Sequence, residues 1–298
     1  MKFIISGGTG FIGRRIVTRL LADTHYVAVW SRRPGNEKRT GVASHSWDPL
    51  TGEPPSESLN GMDTVIHLAG ESVAQRWNAD VRKRIRDSRI MGTRRLVDAI
   101  GRVQHPPKAL VCASAIGYYG DRGTEILQEN AAPGSGFLAE LCQAWEEEAK
   151  RAEQFGLRVV SLRVGLVLGN NGGALQPMIP VFRSGLGGRL GSGRQFMSWI
   201  HVDDAAAMFC HAATNDVSGV WNCTSPNPAT NAEFTTDLAK AVHRPAIFPV
   251  PAFALRLLFG EFGERMLDSA RAVPKAALRN GFSFTYPQLP PALDTLLK

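Results

Sequence analysis

The hydrophobic pattern of the first 170 residues alternates between two periods. Short apolar runs rich in β-branched residues are typical of buried strands, and we predict strands over residues 2–6, 26–31, 63–69, 109–115 and 158–164. Between them apolar residues recur at helical spacing, as in Phe11-Ile12-Ile16-Leu20, in Val81-Ile85-Leu96-Ile100 and through 137–155. Strands that alternate with helices form parallel sheets, so the pattern predicts a doubly wound α/β fold.

The sequence pattern changes after Gly165, where the alternation of strands and helices ends. A glycine-rich stretch spans 185–193, several prolines follow, and separate helical patterns are centred near 204–214, 231–242, 252–270 and 289–297. We therefore expect a first domain over 1–170, to which the chain returns around 196–215, and a smaller C-terminal lobe over 171–298.

Composition narrows the class of protein. With 298 residues, 44% of them hydrophobic and 20% charged, the chain can bury a sizeable core, which excludes a disordered or coiled-coil protein. No apolar run approaches the roughly 18–20 residues of a membrane-spanning helix. Because Met1-Lys2 leads directly into the first strand without a signal peptide, we expect a cytoplasmic protein that makes no membrane contact.

The cysteine spacing and the net charge indicate which kinds of ligand the chain could bind. The four cysteines form no CxxC pair, so neither a disulfide framework nor a metal site is predicted. The net charge of +7 favours anionic ligands, and nine of the Arg/Lys residues lie between Arg76 and Arg102. No aromatic residues interleave with the basic residues of the helical segment 78–101, so we do not expect nucleic-acid binding.

A glycine-rich turn follows the first strand and opens a helix. Gly7, Gly10 and Gly13 have the GxxGxxG spacing that allows a tight turn, close approach of a pyrophosphate and close packing of helix on strand. The free N–H groups of a helix N-terminus bind anions. The turn therefore predicts a dinucleotide site in a Rossmann-type sheet, with contacts from a set that lies in and beside it: Gly7, Thr9, Gly10, Phe11 and Ile12.

The end of the second strand indicates which dinucleotide binds. A site for NAD(H) carries Asp or Glu there to accept the ribose 2′-hydroxyl, but this chain has Ser31, Arg32 and Arg33. A guanidinium forms charge-assisted hydrogen bonds with a 2′-phosphate, and Ser31 adds a hydroxyl. We therefore predict NADP(H), bound by Ser31 and Arg32.

These segments resemble the extended short-chain dehydrogenase/reductase family, which includes NAD-dependent epimerases and dehydratases. The matching segments are 65–70, 88–96, Ser114 and 199–204. Ala69-Gly70-Glu71, Arg76-Trp77, 185–188 and 274–286 further resemble an atypical epimerase-like subgroup typified by the bacterial protein YfcH. That subgroup ends in a domain of unknown function, which corresponds to about 245–298.

The resemblance implies further cofactor contacts and a substrate. The segment that passes under the cofactor in this family corresponds to Leu68, Ala69 and Gly70, and the segment 164–169 leaves a strand beside the same crevice, where we expect Val167 to touch the nicotinamide end. The region of 183–199 grips the diphosphate of a nucleotide sugar in the family, which makes Arg183, Arg189 and Arg194 candidate substrate clamps. Frequent dimerisation in the family suggests a homodimer.

The chain departs from the family at the catalytic pair. Catalytic members carry a Tyr and, four residues later, a Lys on the helix after the fifth strand, where the Lys lowers the pKa of the Tyr. The corresponding stretch 137–142 reads FLAELC, which has neither residue, and no lysine lies between Lys108 and Lys150.

Three alternatives remain open for the chemistry. Tyr118 or Tyr119, just past Ser114 at the carboxyl end of the sheet, could replace the missing acid. Glu71, after the Gly70 turn, could supply the proton instead. In the third alternative the chain catalyses nothing and is an NADP(H)-binding sensor or regulatory module. The enzyme hypothesis is a hydride transfer on a nucleotide sugar or related small metabolite.

Two further charged groups lead to local expectations. Arg89 falls beside the apolar stripe of helix 78–101, and an arginine buried there needs an anion, for which we favour the cofactor over an internal salt bridge. Asp203 or Asp204 is expected to cap the helix that follows them.

Overall fold

The computed structural model describes residues 1–33 and 40–297. Its strands are β1 (Lys2–Ser6), β2 (Tyr26–Ser31), β3 (Val42–Ser46), β4 (Thr64–His67), β5 (Ala109–Ala115), β6 (Ile126–Leu127), β7 (Arg158–Val164), β8 (Leu166–Gly169), β9 (Gly172–Gly173), β10 (Phe196–Met197), β11 (Trp199–His201), β12 (Gly219–Cys223), β13 (Ala229–Thr230) and β14 (Arg271–Ala272).

Its helices are α1 (Phe11–Ala22), α2 (Ser56–Leu59), α3 (Ala79–Ile100), α4 (Phe137–Lys150), α5 (Leu175–Arg183), α6 (Val202–Thr214), α7 (Asn231–Ala241), α8 (Ala252–Phe259), α9 (Glu261–Arg265), α10 (Lys275–Arg279) and α11 (Leu289–Leu297). Two short 3-10 helices follow β5 and α4, at Ile116–Tyr119 and Arg151–Phe155.

Seven parallel strands form the central sheet, in the order β12-β7-β5-β4-β1-β2-β3. Successive strands run outward from β1 in one direction and from β4 in the other, so the order reverses between these two neighbours. Ligands of doubly wound folds bind at the carboxyl ends of the strands beside such a reversal. The doubly wound α/β prediction is confirmed, and the topology places the ligand crevice beyond Ser6 and His67.

The sheet core explains why the pattern was readable from the sequence. Phe3, Ile4 and Ile5 are all fully buried, as expected of a central parallel strand that is covered by helices on both faces. Helix α1 packs beside α6, and α3 packs beside α4. A second apolar cluster, which includes Phe182, Trp199, Phe234 and Leu293, lies among α5, β11, α7 and α11.

Several elements outside the central sheet were not predicted, and three further differences concern the sheet edges and the C-terminal segment. Strands β3 and β12 complete the sheet at its edges but were not predicted. Strand β3 carries polar residues, and β12 is separated along the chain from its partner β7 by β8–β11 and α6. The helix predicted over 252–270 is divided in two, because Gly260 between α8 and α9 has a left-handed φ of +61°.

The start of α6 also differs. The side chain of His201, not that of Asp203 or Asp204, caps this helix, and its Nδ1 accepts the N–H of Asp203 at 3.1 Å. Asp204 is buried and instead accepts two backbone N–H groups, from Thr285 at 2.9 Å and from Tyr286 at 2.8 Å. The carboxylate therefore ties the C-terminal segment to the main sheet domain.

No helix in the described part of the chain combines the length and the apolar character needed to cross a bilayer. All four cysteines are buried and unpaired.

We predict that Asp204→Ala lowers the free energy of unfolding by about 2–4 kcal/mol, because two backbone N–H groups lose the buried carboxylate that accepts their hydrogen bonds. Urea denaturation measures the change. The matched control is Asp203→Ala, whose side chain is 43% exposed and pairs with Arg15 at 3.4 Å, so about 0–1 kcal/mol is expected. Equal effects of the two variants would contradict the anchoring role of Asp204.

Candidate active site and cofactor crevice

The turn after β1 is built so that only glycine fits at its key positions. Gly7 has a φ of +72°, and its carbonyl accepts the N–H of Gly10 at 2.9 Å. A Cβ atom at Gly13 would overlap the carbonyl oxygen of Gly7 and fall 2.8 Å from its carbonyl carbon. Helix α1 can therefore approach the turn closely enough to direct its first N–H groups into the crevice.

The N-terminus of α1 has no side-chain cap. Gly10 is the N-cap residue, and the first turn carries no acidic residue. The first N–H groups of a helix need an external acceptor, and the helix dipole favours an anion there. This arrangement fits a pyrophosphate. Thr9 and Gly10 are exposed beside it, while Phe11 packs its ring against Gly172 and Ile12 is half-buried.

The end of β4 is fixed to the same turn through Ser6. The Ser6 hydroxyl lies 2.6 Å from His67 Nδ1 and accepts the N–H groups of Leu68 and Ala69 at 3.1 and 3.2 Å. Burial lowers the pKa of the His67 imidazole to about 3, with a smaller contribution from Arg89, so the ring is neutral. Leu68, Ala69 and Gly70 thus line the crevice from the β4 side.

Ser31 and Arg32 lie at the carboxyl end of β2, beside the phosphate turn. Ser31 is half-buried and hydrogen-bonds to the backbone of Arg33 at 3.2 Å, whereas Arg32 and Arg33 are exposed. The position of this group, one strand outward from β1, is the one that a ribose 2′-substituent reaches in this fold.

Arg89 lies beneath the Gly70 turn. Its Nη1 donates to the carbonyl oxygens of Glu71 at 2.9 Å and Ile85 at 3.2 Å, and its guanidinium lies 5.1 Å from the centre of the Trp145 ring. Burial lowers the pKa of Arg89 below its usual value, yet a guanidinium stays charged at neutral pH. The internal salt bridge considered as the alternative does not form among the described residues, and the guanidinium lies against Gly70. The cofactor contact of Arg89 stays a prediction.

Val167 is buried in β8, in register with Ile200 of β11. Its carbonyl accepts the N–H of Ala174 at 3.0 Å. The predicted contact of Val167 with a nicotinamide is not tested by this geometry and stays a prediction.

A buried ion pair organises the carboxyl ends of β5 and β7. Arg163, which is 3% exposed, binds Glu146 of α4 through two hydrogen bonds of 2.8 Å. Ser114, at the end of β5, donates its hydroxyl to the same carboxylate at 2.6 Å. Burial lowers the pKa of the Arg163 guanidinium, but the hydrogen bonds and charge of Glu146 outweigh burial and raise it above its usual value.

The two adjacent tyrosines after β5 meet Arg163 in different ways. Tyr119 is fully buried; its hydroxyl donates to Asn222 Oδ1 at 2.8 Å and accepts from Arg163 Nη1 at 2.9 Å. Tyr118 is half-buried, and the guanidinium of Arg163 lies 3.3 Å from the centre of its ring. Within the described residues the Tyr118 hydroxyl has no hydrogen-bond partner. The Tyr119 hydroxyl is therefore held in the protein interior, contrary to the catalytic alternative for Tyr119, whereas the role of Tyr118 stays a prediction.

Glu71 is also engaged by the protein. Its carboxylate accepts from Gln75 Nε2 at 3.2 Å and lies 3.9 Å from Arg84 Nε. The backbone N–H of Glu71 donates to Ser88 Oγ at 3.0 Å. These contacts direct the carboxylate toward the start of α3, which weakens the alternative that Glu71 supplies a proton.

The three candidate substrate arginines lie in the segment from α5 to β10. Arg183 ends α5, and Arg189 and Arg194 lie in the loop before β10; all three are exposed. Their role as a substrate clamp stays a prediction.

The sheet, the phosphate turn and the crevice at the strand reversal define an NAD(P)-binding Rossmann protein. A sequence model of the NAD dependent epimerase/dehydratase family matches residues 3–224, and a domain of unknown function, DUF1731, matches residues 250–296. The chain belongs to the NAD dependent epimerase/dehydratase family, which confirms the resemblance of its motifs.

Similar proteins cover the chain from end to end. The chloroplastic SDR39U1 homolog of Arabidopsis thaliana, an epimerase family protein, is 39% identical over the whole chain and 87% of its own length. The epimerase family protein Mb2239 of Mycobacterium bovis is 42% identical over 97% of this chain and 95% of its own. A crystal structure of human SDR39U1 (isoform2) with NADPH matches with a TM-score of 0.90 and 35% identity, over 100% of this chain and 99% of that one.

Sequence reasoning missed Glu146, Arg163 and Asn222. Arg163 had a usable signal, because an arginine inside an otherwise apolar buried strand requires a partner. Glu146 had none, since it lies in a run of three glutamates that reads as a solvated helix face. Asn222 lies in β12, which was itself unpredicted.

We predict that Glu146→Gln lowers the free energy of unfolding by about 3–5 kcal/mol, because it leaves the buried Arg163 cation without its counter-charge. Thermal and urea denaturation measure the loss. Glu147→Gln, one residue along on the exposed side of α4, is the control and should change stability by less than about 0.5 kcal/mol. A tolerated Glu146→Gln would show that the pair does not hold the strand ends together.

Proposed function

We propose that this chain binds NADP(H) in the crevice between β1 and β4 and acts as an epimerase-like oxidoreductase on a nucleotide sugar or related small metabolite. The observation that carries the cofactor proposal is the uncapped N-terminus of α1 above the Gly7–Gly13 close approach. Arg32 and Arg89 add two cations on either side of it. The crystal structure of human SDR39U1 with NADPH supports the same choice of cofactor.

Each cation has a distinct part in this proposal. The exposed Arg32 is placed to form charge-assisted hydrogen bonds with a 2′-phosphate, and Ser31 beside it offers a hydroxyl. Arg89 is placed to neutralise negative charge of a phosphate or to hydrogen-bond a ribose above Gly70. The α1 N-terminus takes the pyrophosphate.

The reactive half of the proposed site consists of Ser114 and Tyr118. The nicotinamide would supply hydride exchange when bound. The Ser114 proton is held by Glu146, so Ser114 offers acceptor lone pairs to a substrate hydroxyl. Tyr118, with the permanent charge of Arg163 against its ring, is the side chain we propose as the proton-exchanging acid in place of the family's Tyr/Lys pair.

A non-catalytic NADP(H)-binding module is the second candidate. Helix α4 reads FLAELCQAWEEEAK and contains no tyrosine, and its only lysine is the last residue. In this alternative the network around Arg163 is structural, and cofactor binding alone is the function.

We predict that Arg32→Asp lowers the affinity for NADPH about ten- to hundredfold, because it replaces a charge-assisted bond to the 2′-phosphate with repulsion. Affinity for NADH should change much less. Isothermal titration calorimetry measures both.

The control for Arg32 is Arg279→Asp in α10, which makes the same charge change at the opposite, β12 edge of the sheet. It should leave NADPH affinity within about twofold, since exposed charges more than a Debye length apart are screened. If both variants weaken NADPH equally, net charge and not a 2′-phosphate contact explains the effect.

We predict that substitution by Phe affects a different property at each tyrosine: turnover at Tyr118 and stability at Tyr119. Tyr118→Phe should lower turnover about a hundredfold or more with stability unchanged, as for loss of an acid–base group. Tyr119→Phe should instead cost about 1–3 kcal/mol of stability, because Asn222 loses a buried donor. Turnover is followed with NADPH and pooled nucleotide sugars. Full turnover by Tyr118→Phe would remove this residue from the mechanism, and no turnover by the wild-type protein would favour the binding module.

A further inference from the structure

An apolar surface lies on the second lobe, apart from the phosphate turn. Large side chains on α8 and on the two loops beside it are each 54–73% exposed, and we call this set the α8 patch: Leu186, Ile247, Phe248, Phe253, Leu257 and Leu258. Of the eight residues of α8, only Leu255 is buried. Contiguous apolar surface of this kind marks an interaction site in soluble proteins.

The α8 patch is built into the fold by backbone hydrogen bonds. Val250 donates to the carbonyl of Arg189, and Gly191 donates to that of Val250, both at 2.8 Å. These bonds bring the loop of Leu186 beside Ile247 and Phe248, and α8 follows directly. At its other end α9 packs Phe262 against Trp77, with ring centres 5.8 Å apart. The exposed side chains therefore project from an anchored segment.

The charges around the α8 patch are predominantly positive. No Asp or Glu occurs in residues 154–202 or 238–260, the two stretches that meet at the patch. Their exposed cations are Arg183, Arg189, Arg194, Lys240, Arg244 and Arg256. Glu261 and Glu264, which come next along the chain, pair with Arg82 and Arg256. The rim of the patch is therefore cationic.

An apolar surface with a cationic rim favours some kinds of binding partner over others. A second copy of the chain would bring two cationic rims together, and like charges disfavour such an interface. An anionic lipid surface satisfies both features, since acyl chains accept Phe and Leu while headgroups attract Arg and Lys.

We propose that the α8 patch docks this protein on the surface of an anionic lipid bilayer. Docking needs no spanning helix and revises the expectation of no membrane contact. It does not depend on the proposed function. Gly260, at the end of α8, lies against Arg76.

Co-sedimentation with vesicles tests this proposal. The full chain should bind vesicles of equal parts phosphatidylcholine and phosphatidylglycerol, more weakly at high salt, and should bind pure phosphatidylcholine far less. Phe253→Ser/Leu257→Ser should weaken binding about tenfold or more. Ile126→Ser/Leu278→Ser removes two exposed apolar side chains from elsewhere and should leave binding unchanged. Arg244→Glu/Arg256→Glu should remove most of the salt dependence.

Circular dichroism and NADPH titration of each variant separate loss of docking from loss of folding. The proposal is overturned if the wild-type chain does not bind anionic vesicles, or if the patch and control variants bind them equally. A wild-type dimer that Phe253→Ser/Leu257→Ser dissociates, without vesicle binding, would make the patch an interface between copies. Binding of monomeric dihexanoylphosphatidylglycerol without binding of vesicles would make it a small-molecule site.

Discussion

The close packing of α1 on the turn after β1 is the constraint on which the rest of the structure depends. Gly13 allows the helix to approach the carbonyl of Gly7, and Gly7 itself adopts a left-handed φ that L side chains rarely adopt. The helix N-terminus is thereby aimed at the strand reversal between β1 and β4. Ser6 joins the two strand ends, so that phosphate turn and crevice wall form one unit.

A buried ion pair has the same organising role for the other half of the crevice. Arg163 and Glu146 are held in low-dielectric surroundings, where a charge without a partner is costly and a paired one fixes geometry. Through this pair α4, β5 and β7 meet at one point, and the guanidinium separates the roles of Tyr118 and Tyr119.

The sequence predicted the parts of this structure that depend on local pattern. The central strands, α1 and the glycine turn were readable because burial on both faces of a parallel sheet imposes long apolar runs. Edge strand β3 was not, since edge strands tolerate polar residues, and the division at Gly260 depends on one backbone angle. Tyr118 and Tyr119 are adjacent in sequence and equivalent by pattern. Their different environments depend on Arg163 and Asn222, which lie 44 and 103 residues from Tyr119 along the chain. Sequence periodicity does not reveal such distant contacts.

The most direct test of the account is the affinity of the wild-type chain for NADPH and for NADH, measured by calorimetry under identical salt conditions. If Arg32 meets a 2′-phosphate while α1 holds the pyrophosphate, NADPH should bind at least about tenfold more tightly than NADH. Equal affinity for the two dinucleotides would contradict the role of Arg32, and failure to bind either one would contradict the crevice itself.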